Sequence, residues 1–210
     1  MISDIRDIAL NMLDTTWPML VISVIIATVL RITYLVINGK KFVLYEELLK
    51  LFFIVYILCL FQIVTAQDIS FGGINIIPFK EIFRYEAGTY LFYKNILGNV
   101  LLFLPFGFFV AYFVKVDKPF VMILLSLLVS LSIETTQLAI GRVFDVDDVI
   151  LNVLGGFLGF TLYKFFIQIF PERFKRTWVL NIIIILLIII IVRFLVPWKN
   201  LIFIMKQLTI

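Results

Sequence analysis

From Ile182 to Val192 the chain carries no polar side chain, and five further stretches come close to the same condition. The hydrocarbon core of a bilayer, about 30 Å thick, asks about 20 apolar residues of a helix that crosses it. Residues 18–37, 48–66, 96–116, 119–140, 149–170 and 178–198 approach that length. Composition agrees, with 63% apolar and 15% charged residues, against about 45–50% and about 25% in soluble domains. The expected fold is an all-α, polytopic integral membrane helical bundle of about six spans, between four and six. A long extracytoplasmic loop separates spans two and three.

Charge and residue usage exclude several function classes. The 18 basic and 14 acidic residues are scattered over short loops, so no basic patch invites nucleic acid. There is no histidine and a single cysteine, Cys59. Disulfides, zinc-type sites and Cys–His or Ser–His catalysis are thereby ruled out within one chain.

Ahead of the first span, Ile2, Ile5, Ile8, Ala9, Met12 and Leu13 recur at helical spacing among acids, which predicts an interfacial amphipathic segment over residues 1–17. It lacks the basic start and cleavage site of a signal peptide. Two N-terminal spans then occupy 18–66, and a C-terminal span with its tail occupies 171–210. Lys40, Lys41, Lys115, Lys118, Lys164, Arg173, Lys175 and Arg176 mark the cytoplasmic loops. Both termini, the loop 67–94 and the turn 141–148 fall on the other side.

That loop is too long for a plain connector. It combines Phe71, Phe79, Phe83, Tyr85, Tyr90, Phe92 and Tyr93 with Asp68, Lys80, Glu81, Arg84 and Glu86. Such a segment lies in the outer interface, or dips back between helices where protein satisfies its backbone. An aromatic belt anchor without chemistry is the plainer reading.

The sharpest signal is polar side chains inside apolar spans, where a central acid costs about 2.5–3.5 kcal/mol. Asn95 and Asn99 are four apart, Ser130, Glu134 and Gln137 are spaced four and three, and Asp145, Asp148 and Asn152 repeat that spacing. Each set shares one helical face. With the orientation above, Asn99, Glu134 and Asn152 lie roughly 6–9 Å from the outer ends of their helices. Pro105 and Gly107 predict a kink in the third span. Gly155 and Gly159 form a small-xxx-small surface for close helix packing.

The runs Asn95-Ile96-Leu97-Gly98-Asn99, Phe103-Leu104-Pro105-Phe106-Gly107, Glu134-Thr135-Thr136-Gln137, Gly141-Arg142, Phe144-Asp145-Val146-Asp147-Asp148 and Asn152-Val153-Leu154-Gly155-Gly156 resemble the VanZ-like family. Asn75 with Pro78-Phe79 is similar to its Asn-x-x-Pro-Phe element. The resemblance covers roughly residues 70 to 165, so a VanZ-like core of loop and three spans is set at 67–170. It implies a multi-pass protein of the bacterial cytoplasmic membrane, in a family named for an accessory protein of teicoplanin resistance.

Glu134, Asp145 and Asp148 are the candidate acid/base groups. Asn75, Arg84, Asn95, Asn99, Gln137, Arg142 and Asn152 are the candidate binding groups. Guanidiniums and amides suit a head group with phosphate and hydroxyls, and Asp145, Asp147 and Asp148 are candidate ligands for Mg²⁺ or Ca²⁺. No other cofactor is implied, and no nucleophile is activated, since Ser130, Thr135 and Thr136 lack a neighbouring base. The leading reading is a site that binds or modifies a lipid-linked or surface envelope molecule, with membrane lipids or an envelope precursor as partners. A proton-sensitive transporter of a lipid or small solute is a second reading, and a structural or partner membrane protein a third.

Overall fold

A computed structural model of the protein describes residues 2–65, 73–84, 86 and 88–169, with side chains from residue 17 onward except at 90 and 94. Five helices run over Ile2–Ile37 (α1), Leu44–Thr65 (α2), Tyr90–Val114 (α3), Pro119–Ala139 (α4) and Val146–Ile169 (α5). Each contains a stretch long and apolar enough to cross a membrane. The predicted sixth span, 178–198, lies outside the described residues, as do the C-terminal tail and residues 66–72 of the long loop. The segment expected as a separate interfacial helix is continuous with the first span, because α1 takes Pro18 into its interior.

Two compact units make up the chain, divided between Val55 and Tyr56 within α2. In the first, Arg31 grips Glu47 in a bidentate pair at 2.6 and 2.9 Å, and Lys50 reaches the same carboxylate at 2.8 Å. Most of the described apolar side chains of α1, from Trp17 onward, are exposed, as suits a helix whose outward face meets lipid.

The second unit is built around α5. Its glycines set the spacing, since a Cβ on Gly155, Gly156 or Gly159 would fall on the Val100 carbonyl, the Ser126 hydroxyl or the Leu104 carbonyl. Backbone contact of this kind is how membrane helices gain packing without a hydrophobic drive. The rows facing it are buried: Val100, Phe103, Val110 and Ala111 on α3, and Met122, Ser126, Ser130, Glu134 and Gln137 on α4. Pro105 removes one amide donor inside α3. One residue beyond the carbonyl it orphans, the Tyr56 hydroxyl donates to the Leu102 carbonyl at 2.8 Å.

Predicted turns at the polar end of this unit are more structured than expected. Residues Gly73–Asn75 (β1) and Val143–Asp145 (β2) form a short parallel pair, in register Gly73 to Val143 and Asn75 to Asp145. α4 closes with Gly141 at φ +87°, the amide of Gly141 donating to Leu138 and that of Arg142 to Gln137. That left-handed closure is glycine's conformation, and it aims the chain back into β2. α5 starts at Val146, three residues earlier than the apolar run suggested.

Candidate functional site

Asp145 ends β2 and caps α5. Its Oδ1 accepts from the Asp147 amide at 2.9 Å and from Asn75 Nδ2 at 3.0 Å, while its own amide donates to Glu134 Oε2 at 3.0 Å. An acid at this position satisfies an orphan helix donor and faces the positive end of the helix dipole. Burial nevertheless pushes its carboxyl above the ordinary carboxylate range, against the opposing pull of those two hydrogen bonds.

From Asp145 the network runs outward through α4. Glu134 is 1% exposed. With its amide oriented to suit both neighbours, Gln137 donates to Glu134 Oε1 at 3.0 Å and accepts from Arg142 Nη1 at 3.1 Å. The same Arg142 nitrogen donates to the Val64 carbonyl at 3.1 Å, near the C-terminus of α2. A cation there complements the negative helix end.

A second branch goes inward. Asn99 on α3 donates to Asp148, and Asn152 donates to Ser130 Oγ at 3.0 Å. Asn152 Oδ1 and Ser126 Oγ are buried without a hydrogen-bond partner among the described residues. Ser126 extends the Ser130, Glu134, Gln137 row by one turn, and the same four-residue spacing identifies it.

Asp147 is fully buried and does something that spacing does not reveal. Its carboxylate accepts from the backbone amides of Phe79, of Glu81 at 2.8 Å and of Ile82 at 3.1 Å. Three N–H donors converge on one anion, and the chain around Phe79 and a 3₁₀ turn at Ile82–Arg84 is folded over it. Phe79 sits at φ 67°, a region costly for a bulky residue, and its amide is held there by Asp147.

The structure thus joins Asn75, Asn99, Glu134, Gln137, Arg142, Asp145, Asp148 and Asn152 in one end of the unit. Asn95 is half-buried one turn from Asn99, with no side-chain hydrogen bond among the described residues. Among the described residues exposed Arg84 pairs with Glu81 at 2.9 Å and bonds no side chain of the network. The candidate cation ligands Asp145, Asp147 and Asp148 are consecutive or nearly so, yet they serve three different partners. Among the described residues no three acidic, Cys or His groups converge to hold a metal. The depths expected from helix ends also change. α3 begins at Tyr90, so Asn99 lies about 14 Å along it, while its partner Asp148 is in the first turn of α5.

A family model described as VanZ/LLP1 matches residues 48–170. The chain belongs to the VanZ/LLP1 family. No curated protein and no solved structure matches it significantly. The VanZ/LLP1 match begins inside α2, upstream of the recognisable motifs, and the geometry gives that helix a part. Tyr56 bonds α3 next to its proline turn, and the Val64 carbonyl anchors Arg142. This VanZ/LLP1 protein is a multi-pass membrane protein, in a family linked to glycopeptide resistance.

Proposed function

We propose that the polar end of α3, α4 and α5 binds the head group of a lipid-linked or surface envelope molecule on the extracytoplasmic side, lowering susceptibility to teicoplanin-type lipoglycopeptides. Arg142 carries this reading. It is half-buried, and among the described residues its guanidinium makes no ion pair. Nη1 is fixed by two carbonyl oxygens, which leaves Nε and Nη2 for a ligand. A fork held this way suits a phosphate, which it can grip through two parallel bonds. Asn95 and Asn99 offer amides to hydroxyl or amide groups of the same ligand, and Glu134 and Asp148 are the acids placed for proton transfer should the bound molecule be modified.

One observation favours a structural share for part of the cluster. Asp147 is saturated by backbone amides, so its role is to fasten the loop, and the ligand side consists of Arg142, Asn95, Asn99 and Glu134. The test is lipid mass spectrometry on protein extracted in native membrane patches. Arg142→Ala is expected to lose a co-purifying phosphate-bearing lipid that wild type retains, while the protein still folds and inserts. Equal lipid in both proteins would remove Arg142 from the site and favour the structural reading.

A further inference from the structure

The loop carrying Asn75 to Arg84 has a feature that the head-group site does not use. Ile76, Ile77, Phe79 and Phe83 are 70%, 60%, 51% and 74% exposed, although the backbone beneath them is tied down by a buried carboxylate. Four exposed apolar side chains on a short, fixed loop are out of place in water.

Their depth explains them. The loop joins the end of α2 to the start of α3, so it belongs to one membrane face. Its residues 79, 81 and 82 are bonded to Asp147, in the first turn of α5. Asn99 bonds Asp148 in that same turn, and Asn99 lies about 14 Å along α3 from its start. The pinned loop therefore sits more than two helical turns below the N-terminus of α3. At that level α3 presents exposed Leu97 and Leu101, the surface of an apolar span. Lys80 and the Arg84–Glu81 pair are exposed on the same loop, and long basic side chains can reach up to the head-group level from a position sunk in the interface.

We infer that residues 76–84 are a preformed wedge inserted into the outer part of the bilayer, with Ile76, Ile77, Phe79 and Phe83 among the upper acyl chains and Lys80 at the lipid phosphates. The occupant of this face is lipid. The strained φ of Phe79, fixed by Asp147, is what turns its ring outward with that of Phe83, the centroids being 6.3 Å apart. Because the wedge shares Asp147 and Asp145 with the polar cluster, the leaflet and the cluster meet at one rigid element.

Full-length protein with Phe83→Cys in a Cys59→Ser background, labelled with an environment-sensitive fluorophore and placed in phospholipid nanodiscs, tests this. Phe83 is exposed and its ring contact is with Phe79 of the same loop, so the label leaves the packing of the helices intact. Emission is expected to be quenched by lipids brominated in the upper acyl chain and protected from aqueous iodide, while a control label at the exposed Lys115→Cys shows the reverse. Quenching by iodide without quenching by brominated lipid would place the loop in water and overturn the inference. Protection from both quenchers would mean a protein covers the face, and would overturn it equally.

Discussion

Asn75 and Asp145 meet twice. They are register partners in the parallel pair β1–β2, and the Asn75 amide donates to the Asp145 carboxylate at 3.0 Å. Seventy positions apart in the chain, they fasten the loop after α2 to the residue that caps α5. Asp147, two residues on, fastens the next part of the same loop. The polar end of the bundle is held by a short backbone pairing, the Asn75–Asp145 side-chain pair and a helix-side carboxylate that accepts from the loop's own amides.

That arrangement makes the loss of Asp147 costly. In Asp147→Ala the three amides of Phe79, Glu81 and Ile82 lose their acceptor, and each buried donor left unpaired costs about 1–3 kcal/mol. Thermal unfolding in detergent is expected to fall sharply for Asp147→Ala and less for Asp147→Asn, which keeps one oxygen. Equal stability of all three proteins would count against the pinned loop.

Helix packing supplies a second expectation. A Cβ at Gly107 would fall on the backbone carbonyl of Gly156, which no rotamer change can relieve. Gly107→Ala is expected to destabilise by at least the about 1–3 kcal/mol of ordinary overpacking, whereas Gly98→Ala, where nothing lies near the added carbon, should leave the melting temperature unchanged.

How much of this was legible beforehand depended on whether the signal was periodic. Helices announce themselves through apolar length, and Ser130, Glu134 and Gln137 through spacing, because membrane burial makes each polar exception costly. The bonds of Asp147 had no such signature: three adjacent acids look alike in sequence, and only the fold separates a helix cap, a loop fastener and a partner of Asn99. β1 and β2 are three residues each, too short to show alternation, and their pairing spans the chain between two helices. Arg31 and Glu47 are equally silent: Arg31 stands alone in an apolar run, while Glu47 sits beside Glu46 and Lys50, and nothing in the sequence couples the two, although they form a bidentate pair.

The sidedness expected from the basic loops is directly measurable. In a Cys59→Ser background, Glu86→Cys, at an exposed position just ahead of α3, is expected to react with an impermeant thiol reagent on intact cells, and Lys115→Cys only after permeabilisation. The opposite pattern would put the polar cluster on the cytoplasmic side and end the proposal of an outer-leaflet ligand.

Glu134 separates charge from hydrogen bonding. Glu134→Gln retains an oxygen for the Asp145 amide and loses the acceptor of Gln137, so insertion is expected to persist and stability to fall by the worth of one hydrogen bond, about 0.5–1.5 kcal/mol. If the bound molecule is modified by proton transfer, teicoplanin susceptibility should rise to that of a strain lacking the protein; unchanged resistance would leave Glu134 as a positioning residue for Asp145 and Gln137. Arg142→Lys runs beside it, since an ammonium keeps the charge but loses the planar fork. Loss of resistance in both Arg142→Lys and Arg142→Ala, at normal expression, would mark the fork itself as the requirement.

Asp145 yields a pH dependence whose sign is fixed by its environment. Burial raises its carboxyl above the ordinary value of 3.8, so the folded protein holds this proton more tightly than the unfolded chain does. Folding is then favoured by protonation, and the favourable contribution of this group is fully present below its unfolded pKa and is lost as pH rises through the window up to the raised folded value. Above that window the curve flattens. Asp145→Asn cannot titrate, and its amide can still accept from Asp147. The difference in melting temperature between wild type and Asp145→Asn is therefore expected to move against wild type as pH climbs from the ordinary carboxylate range, then to hold constant toward neutrality. Carboxylates out of reach of the Asp145 charge titrate alike in both proteins and cancel in the difference. A difference that ran the other way, with wild type gaining as pH rises, would mean that the hydrogen bonds from Asn75 and Asp147 outweigh burial, and that Asp145 is held as a stabilised anion.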